Sequence, residues 1–364
     1  MADERMSVSQ VQAAITAAAA NWQAGYTSVS ELSPEEQKLR LGVPMPPEGF
    51  QAVVQIGQAQ KLMIGAAEAI GLPAAYDLRN VGGKNFITPI KDQGNCGSCV
   101  AFGVCATIEG KFQFQRQNVT LQPDLSEAHL FFVLGKPQGV TCQTGWMPDR
   151  ALACAANPGI ADESCFRYDL TKTDPSNLCS NWQSRVTIVT GYQGVTAANI
   201  KQALMSGPVT ACFVVYNDFF SYTGGVYKHV TGGEAGGHCI SIVGYDDAAG
   251  CWICKNSWGT GWGEHGFFRI AYGECGIDTW AVYMPLAIAE TMWLNNRHVV
   301  GLWANDQERN AYAYLDGAIG WRRVAYDNDN IFADMLTQLA AAKNAHRPVN
   351  AYESKGVLTQ LYVL

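Results

Sequence analysis

The spacing of apolar positions changes twice along this 364-residue chain. Over the first seventy residues it is helical. Val8, Val11, Ile15 and Trp22 share one helical face with alanines between them, which predicts a long amphipathic helix. Ser33-Pro34-Glu35-Glu36 offers an N-cap, a proline at the first helical position and acids in the first turn, so a second helix starts there and ends near Leu41-Gly42. Pro44, Pro46 and Pro47 then forbid regular structure, and a third amphipathic stretch runs from Phe50 to Ile70, before Gly71-Leu72-Pro73.

From residue 72 to 286 the chain is dense in glycine, cysteine and aromatics. Cys99 to Gln117 has a helical pattern with Phe102, Ile108 and Phe112 among its apolar positions, and another helix begins at Ser126. Beyond Pro208 short β-type runs take over: Thr210–Tyr216, Cys239–Gly244, Cys251–Lys255 and Gly266–Ile270. Helices first and strands later predict two packed halves with a cleft between them. Residues 287–364 change texture again. Val299–Trp303 and Ala311–Leu315 read as strands, Asp316-Gly317 as a turn, Trp321–Val324 as a strand, Ile331–Ala342 as a helix and Val357–Leu364 as a closing strand. Trp293, Trp303 and Trp321 are read as the core of this small unit. A face for a carbohydrate or protein partner is the alternative.

The length allows two or three folded units. Charged residues are only 16% of the chain, against roughly 25% in ordinary soluble domains. A net charge of −7 provides no basic stripe, so nucleic acid is not an expected partner. The apolar stretch Ala13–Ala20 is too short to span a membrane, and no membrane insertion is expected. Twelve cysteines point to an oxidising compartment, although Met1-Ala2-Asp3-Glu4-Arg5 does not open like a secretory leader. A leader already removed is the preferred explanation.

The chemistry concentrates at Gln93-Gly94-Asn95-Cys96-Gly97-Ser98-Cys99, which leads directly into a helix. A cysteine at a helix N-terminus meets unpaired N–H groups and the positive end of the dipole, both of which favour the nucleophilic thiolate. Gln93, six residues earlier, can bring a side-chain amide beside the Cys99 N–H as a second oxyanion donor. His238, in Gly236-Gly237-His238-Cys239, is the candidate base. Asn256, in Lys255-Asn256-Ser257-Trp258-Gly259, can fix its ring without taking a proton, with Trp258 covering that bond. A redox pair Cys96–Cys99 is a rival reading, but it leaves the histidine and asparagine blocks without a role. Cys251 and Cys254 have the spacing of a zinc pair; on a strand they point to opposite faces, so no metal is expected there. Cys165 with Cys179, and Cys105 with Cys154, could form staples. Cys212, Cys239, Cys254 and Cys275 read as small buried apolar residues.

The blocks Gln93–Cys99, Gly237–Asp246 and Lys255–Gly266 resemble the three active-site blocks of the papain and cathepsin cysteine peptidases, with Thr107-Ile108-Glu109-Gly110 and Leu125-Ser126-Glu127 similar to landmarks between them. The resemblance spans residues 72–286. It implies an α+β fold with a helical left half and a β-barrel-like right half. Residues 1–71 would be an inhibitory prosegment whose proline-rich part crosses the cleft, and residues 287–364 a small α+β accessory module of unknown role. It also implies a Cys96–Cys142 disulfide, no cofactor, a protein or peptide substrate, a secreted or lysosome-like destination and endopeptidase activity without a cleft-blocking element. Carry-over places Gly145, Trp146, Met147, Pro148, Cys212, Gly237, Trp258 and Trp280 around the substrate, with Trp280 making a shallow apolar pocket for the side chain before the cleaved residue. Val100 stands where the family has tryptophan, and Gln143-Thr144-Gly145-Trp146 lacks its paired glycines. An acyl-transferase or ligase using the same thioester, and a catalytically silent binding protein, are the alternatives.

Overall fold

The computed structural model describes residues 5–56, 71–289, 292–305, 309–317, 319–326, 328–354 and 356–364. The N-terminal segment carries α1 (Val8–Ala17), β1 (Trp22–Ala24), α2 (Pro34–Lys38) and α3 (50–56). Both Ser7 and Ser33 close capping boxes, with Gln10 and Glu36 respectively. The first helix is shorter than the periodicity predicts. It ends at Ala17, Ala19 turns the chain at φ 47°, and Trp22 leaves the helical face to enter an edge strand. The reason is tertiary: β1 pairs with the strand Tyr222–Tyr227, and the Trp22 ring packs 5.1 Å from Tyr227 and 6.1 Å from Tyr222. Burying that indole contributes roughly 2 kcal/mol or more. Most of the third amphipathic stretch, residues 57–70, lies outside the described residues.

The left half is built on α4 (Cys99–Arg116) and α5 (Pro148–Ala156), with Ser126 capping a short helix through the His129 N–H before a π-helical turn, His129–Leu134. Glu109 of α4 and Glu127 both hold the Lys91 ammonium, at 3.2 and 2.8 Å, and Glu109 also accepts the Leu125 N–H. This buried ion cluster fixes α4 against the loop that leads to Gln93. Cys96–Cys142 and Cys165–Cys179 are disulfides, whereas Cys105 and Cys154 are free thiols. Cys99 is also free, so the redox pairing with Cys96 is ruled out in this structure.

Among the described residues the right half is a nine-stranded sheet. Its strands are β1, β2 (Ala75–Asp77), β5 (Tyr192–Gly194), β6 (Val209–Tyr216), β7 (Tyr222–Tyr227), β8 (Glu234–Asp246), β9 (Cys251–Lys255), β10 (Phe267–Ala271) and β11 (Tyr283–Pro285). The order is β1-β7-β10-β9-β8-β6-β11-β5, with β2 paired to β8. The small ladder β3 (Ile160–Ala161) with β4 (Val186–Thr187), and α6 (Ile200–Leu204), complete this part. One hydrophobic core runs from Val11 to Ile288, so the N-terminal segment shares it.

A second core, Leu294 to Leu358, fills a closed barrel ordered β12-β13-β14-β16-β15. Its elements are β12 (Met292–Ala304), β13 (Ala311–Leu315), β14 (Gly320–Val324), α7 (Asp329–Asn344), β15 (Pro348–Ser354) and β16 (Val357–Val363). The alternation in β13 decides which side is inside. Ala311, Ala313 and Leu315 are buried, while Tyr312 and Tyr314 face outward. Trp303 is 47% exposed and Trp321 half-buried on the same outer face, so these two are not core; the Trp293 side chain lies outside what is described.

Candidate active site

Cys99 is the first residue of α4, and Ser98 makes no side-chain cap, which leaves the first-turn amides to other partners. His238 lies on β8 and Asn256 directly after β9, so the β8–β9 pairing brings them together. His238 Nε2 lies 2.8 Å from Asn256 Oδ1, which also accepts the Ser257 N–H at 2.8 Å. Nε2 is therefore the protonated ring nitrogen, and Nδ1 is left as the basic one. The Trp258 ring lies 4.7 Å from the imidazole and is itself wedged by Phe219, Phe220 and Trp262. Gln93 is locked from two sides: its Oε1 accepts Ser257 Oγ–H at 2.7 Å, and its backbone N–H donates to Ser257 O at 2.9 Å.

The cleft is occupied by the chain's own N-terminal segment. Gln93 Nε2 donates to the Arg40 carbonyl at 3.0 Å and to Cys96 O at 2.8 Å. Two residues on, the Gly42 carbonyl accepts the Trp146 N–H at 2.8 Å, and the Val43 N–H donates to Gly237 O at 3.0 Å. Residues 40–43 thus cross the cleft between Gly145-Trp146 on one wall and Gly237 on the other. The crossing lies just before the prolines, not within them. A Cβ on Gly42 would come within 3.0 Å of three backbone atoms of Gly97, and one on Gly145 would do the same to Gly42. Glycine is needed for that approach. The Arg40 guanidinium closes an ion pair with Asp92 at 2.7 Å.

Burial under this strap sets the electrostatics. It pushes the Cys99 thiol well up, overriding the amides of Cys239, Gly42 and Val100 that favour thiolate. The helix N-terminus favours the opposite direction, and burial wins while the strap is in place. Burial also pushes His238 down to about 4, and the Arg40 charge adds to this, against the opposing hydrogen bonds to Asn256 and the Arg40 backbone.

Of the expected substrate-side residues, Gly145, Trp146 and Gly237 touch the strap directly. Trp280 borders Gly237 and meets Phe50 of α3 edge-on at 5.5 Å. Met147 is partly exposed and Pro148 opens α5. Cys212 is fully buried opposite Cys239 in the β6–β8 ladder and offers no surface to a substrate in this state. The sequence alone does not mark Arg40, Gly42 and Val43 as part of the site. Their only local signal is a glycine placed just ahead of the proline run.

A helical half and a strand half meet at a cleft that holds a cysteine, a histidine–asparagine pair and an occluding strap, an arrangement that defines a cysteine peptidase in precursor form. Residues 72–285 match the papain family cysteine protease model, and the chain belongs to that family. It is 33% identical over 233 residues to the cathepsin B-like CP3 of Giardia intestinalis, covering 59% of this chain and 75% of that protein. It is 32% identical over 238 residues to a gut-specific cysteine proteinase of Caenorhabditis elegans, covering 57% and 72%. Among solved structures it resembles digestive procathepsin L 3 of the Tenebrio molitor larval midgut, at 28% identity and a TM-score of 0.58, covering 76% of this chain and 87% of that one. It shares its fold with procathepsin B S9 of Trypanosoma congolense, at 22% identity and a TM-score of 0.61, covering 77% and 98%.

Proposed function

We propose that this zymogen, once residues 1–71 leave the 72–286 unit, hydrolyses peptide bonds through a thioester on Cys99. His238 takes the thiol proton, the sulfur attacks the scissile carbonyl, and Gln93 Nε2 with the Cys99 N–H holds the oxyanion. His238 then protonates the leaving amine and activates water for deacylation, while Asn256 keeps the ring aligned. The observation that carries this reading is the strap itself: a peptide carbonyl, that of Arg40, already rests on the Gln93 amide. Gln93→Ala is expected to lower kcat roughly a hundredfold with KM little changed. The test is labelling with a peptidyl epoxide, followed by peptide mapping. A single adduct on Cys99 that abolishes turnover supports the assignment, and an adduct elsewhere with full loss of activity sinks it.

Activation has a pH dependence whose sign follows from proton counting. In the strapped state the dyad holds one proton, on Cys99, with His238 neutral above about 4. A freed, histidine-paired thiol falls to roughly 3–4, so the dyad again holds one proton, now on the imidazole. The count is equal on both sides, and the dyad gives no pH dependence between roughly 4 and 8. Glu36 does. The Ser33 backbone N–H, then its hydroxyl, hold that carboxyl below its usual range, with Asn95 and Arg40 adding to this. The Ser33 and Arg40 contacts travel with the segment, so the part that belongs to docking is the Asn95 amide of the peptidase unit, which donates to this carboxylate at 3.2 Å; that contribution stabilises the docked state above the ordinary carboxyl pKa and is lost as pH falls through the lowered value. Processing should therefore change little between pH 8 and 5 on this account and accelerate below about 4.5. In Glu36→Gln that acid-dependent part should vanish; an unaltered acid profile by intact mass would remove Glu36 from the role.

Trp280 beside Gly237 supports the shallow apolar pocket; equal cleavage of peptides bearing Val or Arg in that pocket would overturn it. The two disulfides support an oxidising, secreted or lysosome-like destination. Among the described residues no helix is long and apolar enough to cross a membrane. Residues 287–364 are an accessory module for binding a carbohydrate or a protein.

A further inference from the structure

We propose that the outer face of the C-terminal barrel binds an uncharged oligosaccharide, an inference that takes up the accessory-module reading and narrows it to one ligand class and one set of residues. Three adjacent strands turn aromatic rings outward. Trp303 of β12 is the register partner of Tyr312 of β13, with ring centroids 5.6 Å apart, and Tyr314 is the partner of Trp321 of β14, at 5.4 Å. Gly301 lies under the Trp321 indole, where a Cβ would stand 3.1 Å from the ring, so the indole rests low on the sheet. The barrel needs none of these rings for its interior, which Ala311, Ala313, Leu315 and Val324 fill.

The face borders two cavities against the peptidase unit. One, of about 390 Å³, is lined by Thr190, Leu286, Trp303, Asn310, Tyr312 and Trp321. The other, of about 520 Å³, is lined by Thr190, Tyr312, Arg323, Tyr326, Ser354 and Thr359. Thr190 and Tyr312 line both, so the two cavities are neighbours on this face. Flat rings flanked by amide, hydroxyl and guanidinium groups suit a ring of C–H bonds edged with hydroxyls.

Two other occupants fit less well. A nucleic acid would need a basic excess, and residues 287–364 hold seven Lys and Arg against eight Asp and Glu. A peptide added as a strand would need a free edge, and the barrel is closed. The strand order, with β14 and β16 parallel and α7 between β14 and β15, is that of five-stranded barrels that take oligosaccharides or oligonucleotides on the second and third strands. The lack of basic excess selects the first.

The test uses the full chain carrying Cys99→Ala, incubated with insoluble cellulose, chitin, starch and xylan, and titrated by tryptophan fluorescence with cellotetraose and chitotetraose. Retention on at least one of these polymers is expected, weakened roughly tenfold or more in Trp303→Ala and partly rescued in Trp303→Phe. Trp303 is half exposed, so its removal should leave the fold intact. In the Cys99 background, Trp303→Ala should cleave a small peptide substrate as well as its parent does, which separates this proposal from the peptidase assignment. No binding to any of the carbohydrates, equal binding by Trp303→Ala, or salt-sensitive binding of an oligothymidylate in place of sugar would each overturn it.

Discussion

Cys99→Ala should keep its first seventy residues indefinitely at mildly acidic pH, where the parent chain loses them within the same hours. Against an added peptide substrate its kcat/KM should fall by on the order of 10⁴-fold to 10⁶-fold. The size follows from what the residue does. Without the sulfur no thioester forms, and what remains is the Gln93 amide, the Cys99-position N–H and substrate binding, which by themselves retain only a small part of the rate enhancement. Alanine removes no packing of consequence, because Val100, Ala101 and the α4 core stay buried, so a loss of fold is not expected. Intact mass over time gives the first readout and progress curves the second. Processing of Cys99→Ala when incubated alone, at the parent's rate, would mean that another nucleophile or a contaminating peptidase does the work, and the assignment of Cys99 would fall.

The active-site blocks were legible because each compresses its chemistry into a few consecutive residues: a turn before a helix for Cys99, a glycine pair inside a strand for His238, and an amide just after a strand for Asn256. The strands were legible for a related reason: β9 is a short apolar run, buried at every position, and β13 of the C-terminal barrel alternates strictly between buried and outward residues. What could not be read depends on partners remote in sequence. β1 exists because the β7 edge is there to receive it, and its three residues have no period of their own. β15 is not legible because one of its inward positions is Glu353, which reads as a surface residue until Arg322 is found 2.6 Å away in the barrel interior. Composition alone places Trp303 and Trp321 in a core. The alternation Ala311-Tyr312-Ala313-Tyr314 already held the opposite answer, with small residues inside a narrow barrel and large ones outside.

Gly42→Val should disable latency. The strap passes Cys99 at Gly42, whose carbonyl takes the Trp146 N–H while its α-carbon is held between Gly97 and Gly145. A Cβ there meets backbone, which cannot rotate aside as a side chain would, and a branched residue adds two methyl groups to the clash. The strap must lift, and with it go the Arg40 carbonyl on Gln93 and the Val43 pairing with Gly237. Loss of about 4 kcal/mol of docking corresponds to roughly a thousandfold rise in the open fraction. The rest of the segment stays anchored through α1, β1 and α2, so the chain should still fold. Labelling of Cys99 by a peptidyl epoxide at pH 7, followed on the intact precursor, measures that open fraction without waiting for cleavage. A rate raised roughly a thousandfold over the parent precursor is the expected result. An unchanged rate would show that access to Cys99 is controlled by some other part of the molecule, and that residues 40–43 only lie across the cleft without closing it.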